Sequence, residues 1–152
     1  MSAENDAGRG CVPPYALALI VCDAIWRDPG TGKRTILGCF SVIGAKSFPT
    51  KHPLIAVYAA VTDAHGVVPI TLRLVDMDES GPPLAELKVE PKVEDPRAVL
   101  ELDFGLMNVV LPAPGEYRLQ LKSLETLLME RRIVVMKIGE QAHDADAGTE
   151  HS

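Results

Sequence analysis

Residues 114–122 read PGEYRLQLK, in which a proline-glycine turn is followed by a strict alternation of apolar and polar side chains. Successive side chains of a β-strand point to opposite faces, so Tyr117, Leu119 and Leu121 would share one face. The same period of two recurs over residues 70–74, 86–90 and 100–104. This repeated pattern is typical of antiparallel sheets that bury one face and expose the other to water.

The segment Pro114-Gly115-Glu116-Tyr117 also resembles the turn and penultimate strand of immunoglobulin-like domains. In those domains a tyrosine early in the strand bonds back to the backbone. The position two residues after Tyr117 is Leu119, so the disulfide of antibody domains is absent. The resemblance therefore implies the fold without its best-known covalent link.

Continuous apolar stretches complete the set of predicted strands. Residues 16–22, 54–61 and 133–138 are apolar at nearly every position and suit central strands, while Pro and Gly clusters mark the turns between segments. We therefore predict an all-β fold, an immunoglobulin-like antiparallel β-sandwich of about eight strands. The predicted strands are 16–22, 35–43, 54–62, 67–76, 84–89, 98–104, 116–123 and 127–138. Of all segments, only 123–131 is also compatible with a helix.

The 152 residues suit a single domain with a tail at each end. Residues 1–12 and 139–152 are rich in small and acidic residues, so we predict that both are disordered and that the β-sandwich spans 13–138. The C-terminal tail carries four acidic residues and no Lys or Arg. The body is therefore almost neutral, although the chain has a formal net charge of -6.

Charge, hydropathy and cysteine spacing argue against several classes of protein. A nucleic-acid-binding protein needs a basic stripe to neutralise phosphates, and the basic residues here form only isolated pairs. The apolar run 16–22 is far too short to span a membrane and lacks the flanks of a signal peptide. Cys11, Cys22 and Cys39 follow no recurring spacing, which favours reduced, buried thiols in a cytoplasmic protein over a disulfide framework.

A scattered set of residues carries a family resemblance. The set comprises Gly32-Lys33, Gly38, Phe40, Ile43, Phe48-Pro49, His52-Pro53 and Pro114-Gly115-Glu116-Tyr117. In this pattern the chain resembles an uncharacterised bacterial β-sandwich family, a domain of unknown function. The resemblance covers roughly residues 15–138, which is the part of the chain outside the predicted tails. The resemblance implies a cytoplasmic bacterial protein with no assigned activity.

Two loops resemble known ligand-binding loops only in part. Residues 28–34, DPGTGKR, place glycines before a lysine, but the first glycine of a phosphate-binding loop would fall at Arg27 and its hydroxyl residue at Arg34. A hairpin turn is the better interpretation. Residues 76–81 begin like a calcium loop, but the twelfth position is Leu87 where a glutamate is needed. That segment is predicted to be an acidic, solvated turn.

Few side chains are left as candidates for chemistry. Cys22 and Cys39 lie in apolar strand patterns, where burial raises the pKa of a thiol and makes it inert. His52 lies in the stiff connector 48–53, where an imidazole more often ties the loop to a carbonyl than takes part in catalysis. Trp26, the sole tryptophan, lies outside the alternating segments. We expect its ring to close one open end of the sandwich rather than bind a ligand.

These observations favour a non-catalytic protein-interaction or structural module that binds another protein, or a second copy of itself, through a strand edge or the end loops. No catalytic, cofactor-binding or metal-binding residue is predicted, and neither nucleic acid nor membrane is an expected partner. Trp26, Lys33 and His52 are the candidate interaction residues. Two alternatives stay open: an enzyme or metal-binding protein with a loop-built site around Asp23, Cys39 and His52, and a carbohydrate-binding module that uses Trp26.

Overall fold

The computed structural model describes residues 12–79 and 81–139, and these form eleven β-strands without a helix. The all-β prediction is confirmed, and no helix in this part of the chain has the length and apolar character needed to cross a membrane. The predicted tails lie outside the described residues, except for Val12 and Gly139. The strands are β1 (Tyr15–Arg27), β2 (Arg34–Cys39), β3 (Val42–Ala45), β4 (Thr50–Thr62), β5 (Gly66–Val67), β6 (Ile70–Asp76), β7 (Ala85–Val89), β8 (Lys92–Val93), β9 (Leu100–Leu111), β10 (Gly115–Ser123) and β11 (Thr126–Lys137).

Two main sheets enclose the core, and β5 and β8 form a small separate ladder. The strand order is β2-β1-β4-β9 in the first sheet and β3-β11-β10-β6-β7 in the second. Every ladder is antiparallel except the one between β3 and β11. Strands β4 and β9 correspond to strands B and E of the immunoglobulin fold, and β6, β10 and β11 correspond to strands C, F and G. The predicted immunoglobulin-like sandwich is therefore confirmed.

The core lies between the two sheets and follows the alternation in the sequence. Every second residue of β4 from Ile55 to Val61 is fully buried, and so are Leu119 and Leu121 of β10. Each Å² of apolar surface removed from water stabilises the fold by about 25 cal/mol. The continuous apolar run in β4 differs from simple alternation because Ala56 and Ala60, on its outer face, are buried as well.

A tyrosine corner joins the start of β10 to the turn before it. The Tyr117 hydroxyl donates to the Ala113 carbonyl at 2.5 Å, and the Ala113 N–H donates back to that hydroxyl at 3.4 Å. Tyr117 itself is almost completely buried. The structure thus confirms the backbone contact that the resemblance to immunoglobulin-like domains implies.

Several strands differ in extent from the predicted ones. β1 continues to Arg27 and β9 continues to Leu111, because both strands gain partners that local sequence does not reveal. Pro69 has no amide hydrogen, so the predicted strand 67–76 is interrupted and its start pairs with β8 instead. Residues 123–131 form a turn and the start of β11 rather than a helix, with a left-handed backbone (φ 54°) at Leu124.

The predicted strand 35–43 is divided between the two sheets. The Phe40 N–H donates to the Val21 carbonyl of the first sheet at 3.1 Å, whereas the Ser41 carbonyl accepts from the Val134 N–H of the second sheet at 2.9 Å. The chain therefore crosses from one sheet to the other at residues 40–41. This crossing makes β2 an edge of the first sheet and β3 an edge of the second.

The β1–β2 hairpin bends across the outer face of the first sheet. β1 pairs with β4 only as far as Cys22, although β4 extends well past the partner of Cys22, which is Ala56. Beyond Cys22, β1 pairs with β2 alone, and Arg34 of β2 bonds to Asp103 of β9 at the opposite edge of the sheet. Residues 23–38, called the hairpin arm below, therefore lie across β4 and reach β9.

Replacing Tyr117 by Phe removes the hydroxyl of the tyrosine corner and keeps the ring. We expect Tyr117→Phe to lower the free energy of unfolding by about 1 kcal/mol, because the Ala113 carbonyl loses its donor. Urea unfolding followed by circular dichroism measures the change. Tyr15 is 65% exposed, so Tyr15→Phe is the matched control and should leave stability unchanged. Equal stability of Tyr117→Phe and the wild type would contradict the assigned bond.

Candidate functional site

An ion-pair cluster anchors the hairpin arm to β9. Arg34 Nε donates to Asp103 Oδ1 at 2.6 Å, and Arg34 Nη1 donates to Glu101 Oε1 at 3.1 Å. The Tyr58 hydroxyl, on β4, donates to the other carboxylate oxygen of Glu101. The Arg34 side chain is only 12% exposed, so water and salt screen these pairs less than they screen pairs on an open surface.

The cluster keeps the Tyr58 hydroxyl protonated. Burial raises the pKa of Tyr58, the hydrogen bond to Glu101 raises it further, and Arg34 offsets part of the rise, which leaves the pKa at about 12. Tyr58 is therefore a hydrogen-bond donor at neutral pH. Because both carboxylates of the cluster already have donors from this chain, we interpret the cluster as a structural anchor rather than a ligand site.

The raised pKa of Tyr58 predicts a pH dependence of stability. Its contribution is fully present below the unfolded-state pKa of about 10 and is lost as the pH rises towards the folded-state pKa of about 12. Between these pH values we expect the free energy of unfolding to fall more steeply for the wild type than for Tyr58→Phe. Urea unfolding at several pH values gives both curves. Parallel curves would show that the hydroxyl is not held by the cluster.

Trp26 lies on the exposed face of the hairpin arm, and the prediction that it closes one end of the sandwich is wrong. The register places Leu37 diagonally across from Trp26 on the same face of the two strands. Their exposed fractions are 49% and 51%. The opposite face of the arm, with Arg34, points to the sheet, so Trp26 has no core to enter.

The turn at the tip of the arm is the hairpin turn that the sequence predicts. Asp28 Oδ2 accepts bonds from the Thr31 N–H at 2.8 Å and the Thr31 hydroxyl at 2.7 Å, and these bonds lower the pKa of Asp28. The Asp28 N–H donates to the Lys33 carbonyl at 2.8 Å. A carboxylate of the chain thus occupies the loop, which disfavours phosphate there. Lys33 itself is exposed beside this turn.

The structure brings together two of the three residues of the alternative enzymatic site. Asp23 and His52 line one shallow depression with Phe40, whose ring centroid lies 6.0 Å from that of His52. His52 belongs to β4 rather than to a connector. Cys39 is exposed at the end of edge strand β2, so the prediction that it is buried is wrong. Within the described residues, no three His, Cys, Asp or Glu side chains are grouped to hold a metal ion.

Cys22 is confirmed as a buried thiol. It is 0% exposed, and its sulfur lies 3.6 Å from the Ala56 carbonyl oxygen, to which it donates. Burial raises the pKa of Cys22, and the neighbouring Cys39 adds to the rise. The thiol is therefore protonated at neutral pH. The third cysteine, Cys11, lies outside the described residues.

Gly38 is the residue against which Asp23 packs. Its backbone is left-handed, with a φ of +69°, and a Cβ atom placed on it would lie 2.3 Å from Asp23 Oδ2. Glycine therefore meets two requirements at this position, the backbone conformation and the space for the carboxylate.

A comparison of two glycines separates these requirements. Gly66 has a similar φ of +76° but nothing within 4 Å of an added Cβ, so Gly66→Ala should cost only the backbone penalty of about 1 kcal/mol. We expect Gly38→Ala to lower the free energy of unfolding by more than that. Adding Asp23→Ala to Gly38→Ala should recover most of the difference, as measured by urea unfolding, because the carboxylate is removed while the Cβ of residue 23, 3.1 Å away, remains. Equal losses at the two glycines would contradict the packing.

The outer face of the second sheet carries a closed polar network that the alternation alone does not predict. Gln120 is 5% exposed, accepts from Arg73 Nε at 2.9 Å and donates to Glu79 and Glu130 at 2.9 and 2.7 Å. Arg118 bridges to Glu130 at 3.5 Å. In the described part of the chain, no buried side-chain nitrogen or oxygen lacks a partner. This face offers a ligand few free polar groups.

β9 presents a long free edge. It pairs with β4 on one side, and no strand of the described residues pairs with its other side. Met107 and Val110 of β9 are 70% and 48% exposed, and Leu54 of β4 beside them is 36% exposed; these three form the edge patch. Asn108 lies between Met107 and Val110 and has a left-handed backbone (φ 54°). It lies opposite Pro53, at the position where the ladder lacks one residue pair.

Strand order and tyrosine corner together define this molecule as an immunoglobulin-like β-sandwich. The chain belongs to DUF6941, a family of unknown function whose sequence model matches residues 17–136. The predicted resemblance to a family of unknown function is confirmed. No curated protein matches this sequence.

Two solved structures similar to this one share little sequence with it. An immunoglobulin-like protein from Pseudomonas aeruginosa is 14% identical with a TM-score of 0.41, and the match covers 82% of this chain and 97% of that one. A β-glucosidase from Listeria innocua, in complex with isofagomine, is 14% identical with a TM-score of 0.43. That match covers 80% of this chain and 16% of the enzyme chain.

Proposed function

We propose that this domain is a non-catalytic interaction module that binds an extended segment of another protein along the free edge of β9. The observation that carries the proposal is the length of this edge, since β9 has 12 residues and pairs on one side only among the described strands. An incoming strand would bond to the unpaired N–H and C=O groups of β9 and extend the first sheet.

The other edges of the two main sheets are shorter and better protected. β2, β3 and β7 have 6, 4 and 5 residues, and short edge strands offer few backbone groups to an incoming strand. β7 also carries Glu86 and Lys88, and charged side chains discourage pairing at an edge. β9, in contrast, has no charged residue from Phe104 to Leu111.

The edge patch supplies side-chain contacts for the bound segment. Met107 is flexible and polarizable, so it adapts to apolar partners of different shapes, and it is the most exposed residue of the patch. At the other end of β9, Glu101 and Asp103 are already paired with Arg34, so the bound segment needs no charge of its own. The partner that fits this edge is an extended, uncharged segment with apolar side chains at alternate positions.

Peptides selected from a random display library on the wild-type domain serve as probes. Met107→Lys places a charge on the edge, and we expect it to weaken the binding of selected peptides by at least about tenfold. Val42→Lys is the matched control, because it adds the same charge at a residue that is 49% exposed on edge strand β3. The control should leave affinity unchanged. Hydrogen exchange should show new protection at amides of β9.

Three outcomes would contradict the proposal. The first is that no extended peptide is selected, and the second is that binding survives Met107→Lys. The third is that Trp26→Ala removes peptide binding while Met107→Lys does not, which would move the interface to the hairpin arm. A glycan array probed with the wild type and Trp26→Ala tests carbohydrate binding in parallel. Glycan binding that depends on Trp26 would replace the proposed function.

A further inference from the structure

Cys22 and Cys39 lie directly opposite each other on β1 and β2. Hydrogen-bonded and non-hydrogen-bonded pairs alternate along an antiparallel ladder. The Phe40 N–H donates to the Val21 carbonyl, so Val21 and Phe40 form a hydrogen-bonded pair. The cysteine pair beside it is therefore a non-hydrogen-bonded pair. Cα atoms of such pairs are about 4.5 Å apart. Disulfides span Cα separations of roughly 4.4–6.8 Å, so the backbone geometry permits a bond between the two sulfurs.

The two thiols differ in their access to solvent. Cys22 is 0% exposed, with its sulfur against the Ala56 carbonyl oxygen, whereas Cys39 is exposed at the end of an edge strand. Asp23 packs against Gly38, and alternation along the strands places that contact on the opposite face from the cysteine pair. An oxidant can therefore reach Cys39, and the neighbouring carboxylate does not separate the two sulfurs.

We propose that Cys22 and Cys39 form an intrachain thiol–disulfide site that reacts with hydrogen peroxide. The Cys39 sulfur attacks a peroxide oxygen, so the O–O bond breaks, an S–O bond forms, and the leaving oxygen departs as water with the thiol proton. The Cys22 sulfur then attacks the sulfur of this sulfenic acid. The S–O bond breaks, the S–S bond forms, and a second water carries away the Cys22 proton. Two thiols and one hydrogen peroxide give one disulfide and two waters.

The disulfide fastens the base of the hairpin arm. Residues 23–38 lie between the two cysteines, so the bond closes the arm into a covalent loop, while Arg34 holds the arm to β9. A closed loop restricts the unfolded chain, so the oxidised protein should unfold at a higher temperature than the reduced protein. This inference does not rest on the proposed function, because neither cysteine lies on β9.

The test uses the full chain with Cys11→Ser, which leaves Cys22 and Cys39 as its two thiols. The folded protein is treated with hydrogen peroxide, and free thiols are then alkylated. We expect the intact mass to fall by two hydrogen atoms, and peptide mapping to identify one cross-link between Cys22 and Cys39. Dithiothreitol should restore both thiols, and the oxidised form should have the higher Tm.

Single variants in the same background are the controls. Cys39→Ser keeps only the buried thiol and should resist peroxide, whereas Cys22→Ser keeps the exposed thiol and should be oxidised without an intrachain cross-link. Circular dichroism establishes that each variant folds, and the cross-link in the parent protein requires neither variant. Oxidation of Cys39 to a sulfinic acid while Cys22 stays reduced would overturn the proposal. A folded parent in which neither thiol reacts would also overturn it.

Discussion

Apolar contact between the inward faces of the two sheets is the interaction on which the rest of the structure depends. Every second residue of β4 from Ile55 to Val61 is withdrawn from water, and Leu119 and Leu121 contribute to the same core from β10. Burial of this surface also fixes strand register, because a shift of one residue would turn the same side chains to solvent. Register in turn decides which residues oppose each other on neighbouring strands, including Cys22 and Cys39.

The alternation of apolar and polar side chains predicts this core directly, because a strand that buries one face carries apolar residues at every second position. β10 is observed at Gly115–Ser123 and predicted at 116–123, and the backbone contact of Tyr117 follows from the turn before it. The prediction fails at residues 40–41, where an apparently continuous strand passes between sheets. That division depends on hydrogen bonds to partners distant in the chain, and the local sequence carries no record of them.

The candidate sites were less predictable than the fold because they depend on the path that β1 follows after its last pair with β4. Trp26 and Cys39 are exposed as a result of the path of the hairpin arm, and this path is fixed by Arg34 and Asp103, which are 69 residues apart. The residues around Trp26 in the sequence do not indicate the ion pair between Arg34 and Asp103. A strand edge can be proposed from sequence as a binding surface, but its assignment to β9 requires the sheet order.

Asn108 gives the free edge of β9 a definite length. Its left-handed backbone and the missing ladder pair at Pro53 interrupt the strand, so the uninterrupted ladder with β4 extends over residues 100–107. Long, flat and uninterrupted edges recruit one chain after another and grow into fibres. Asn108 divides β9 into a longer stretch, residues 100–107, and a shorter one, residues 109–111. An edge interrupted in this way is a poorer template for the stacking of copies into fibres than an unbroken edge.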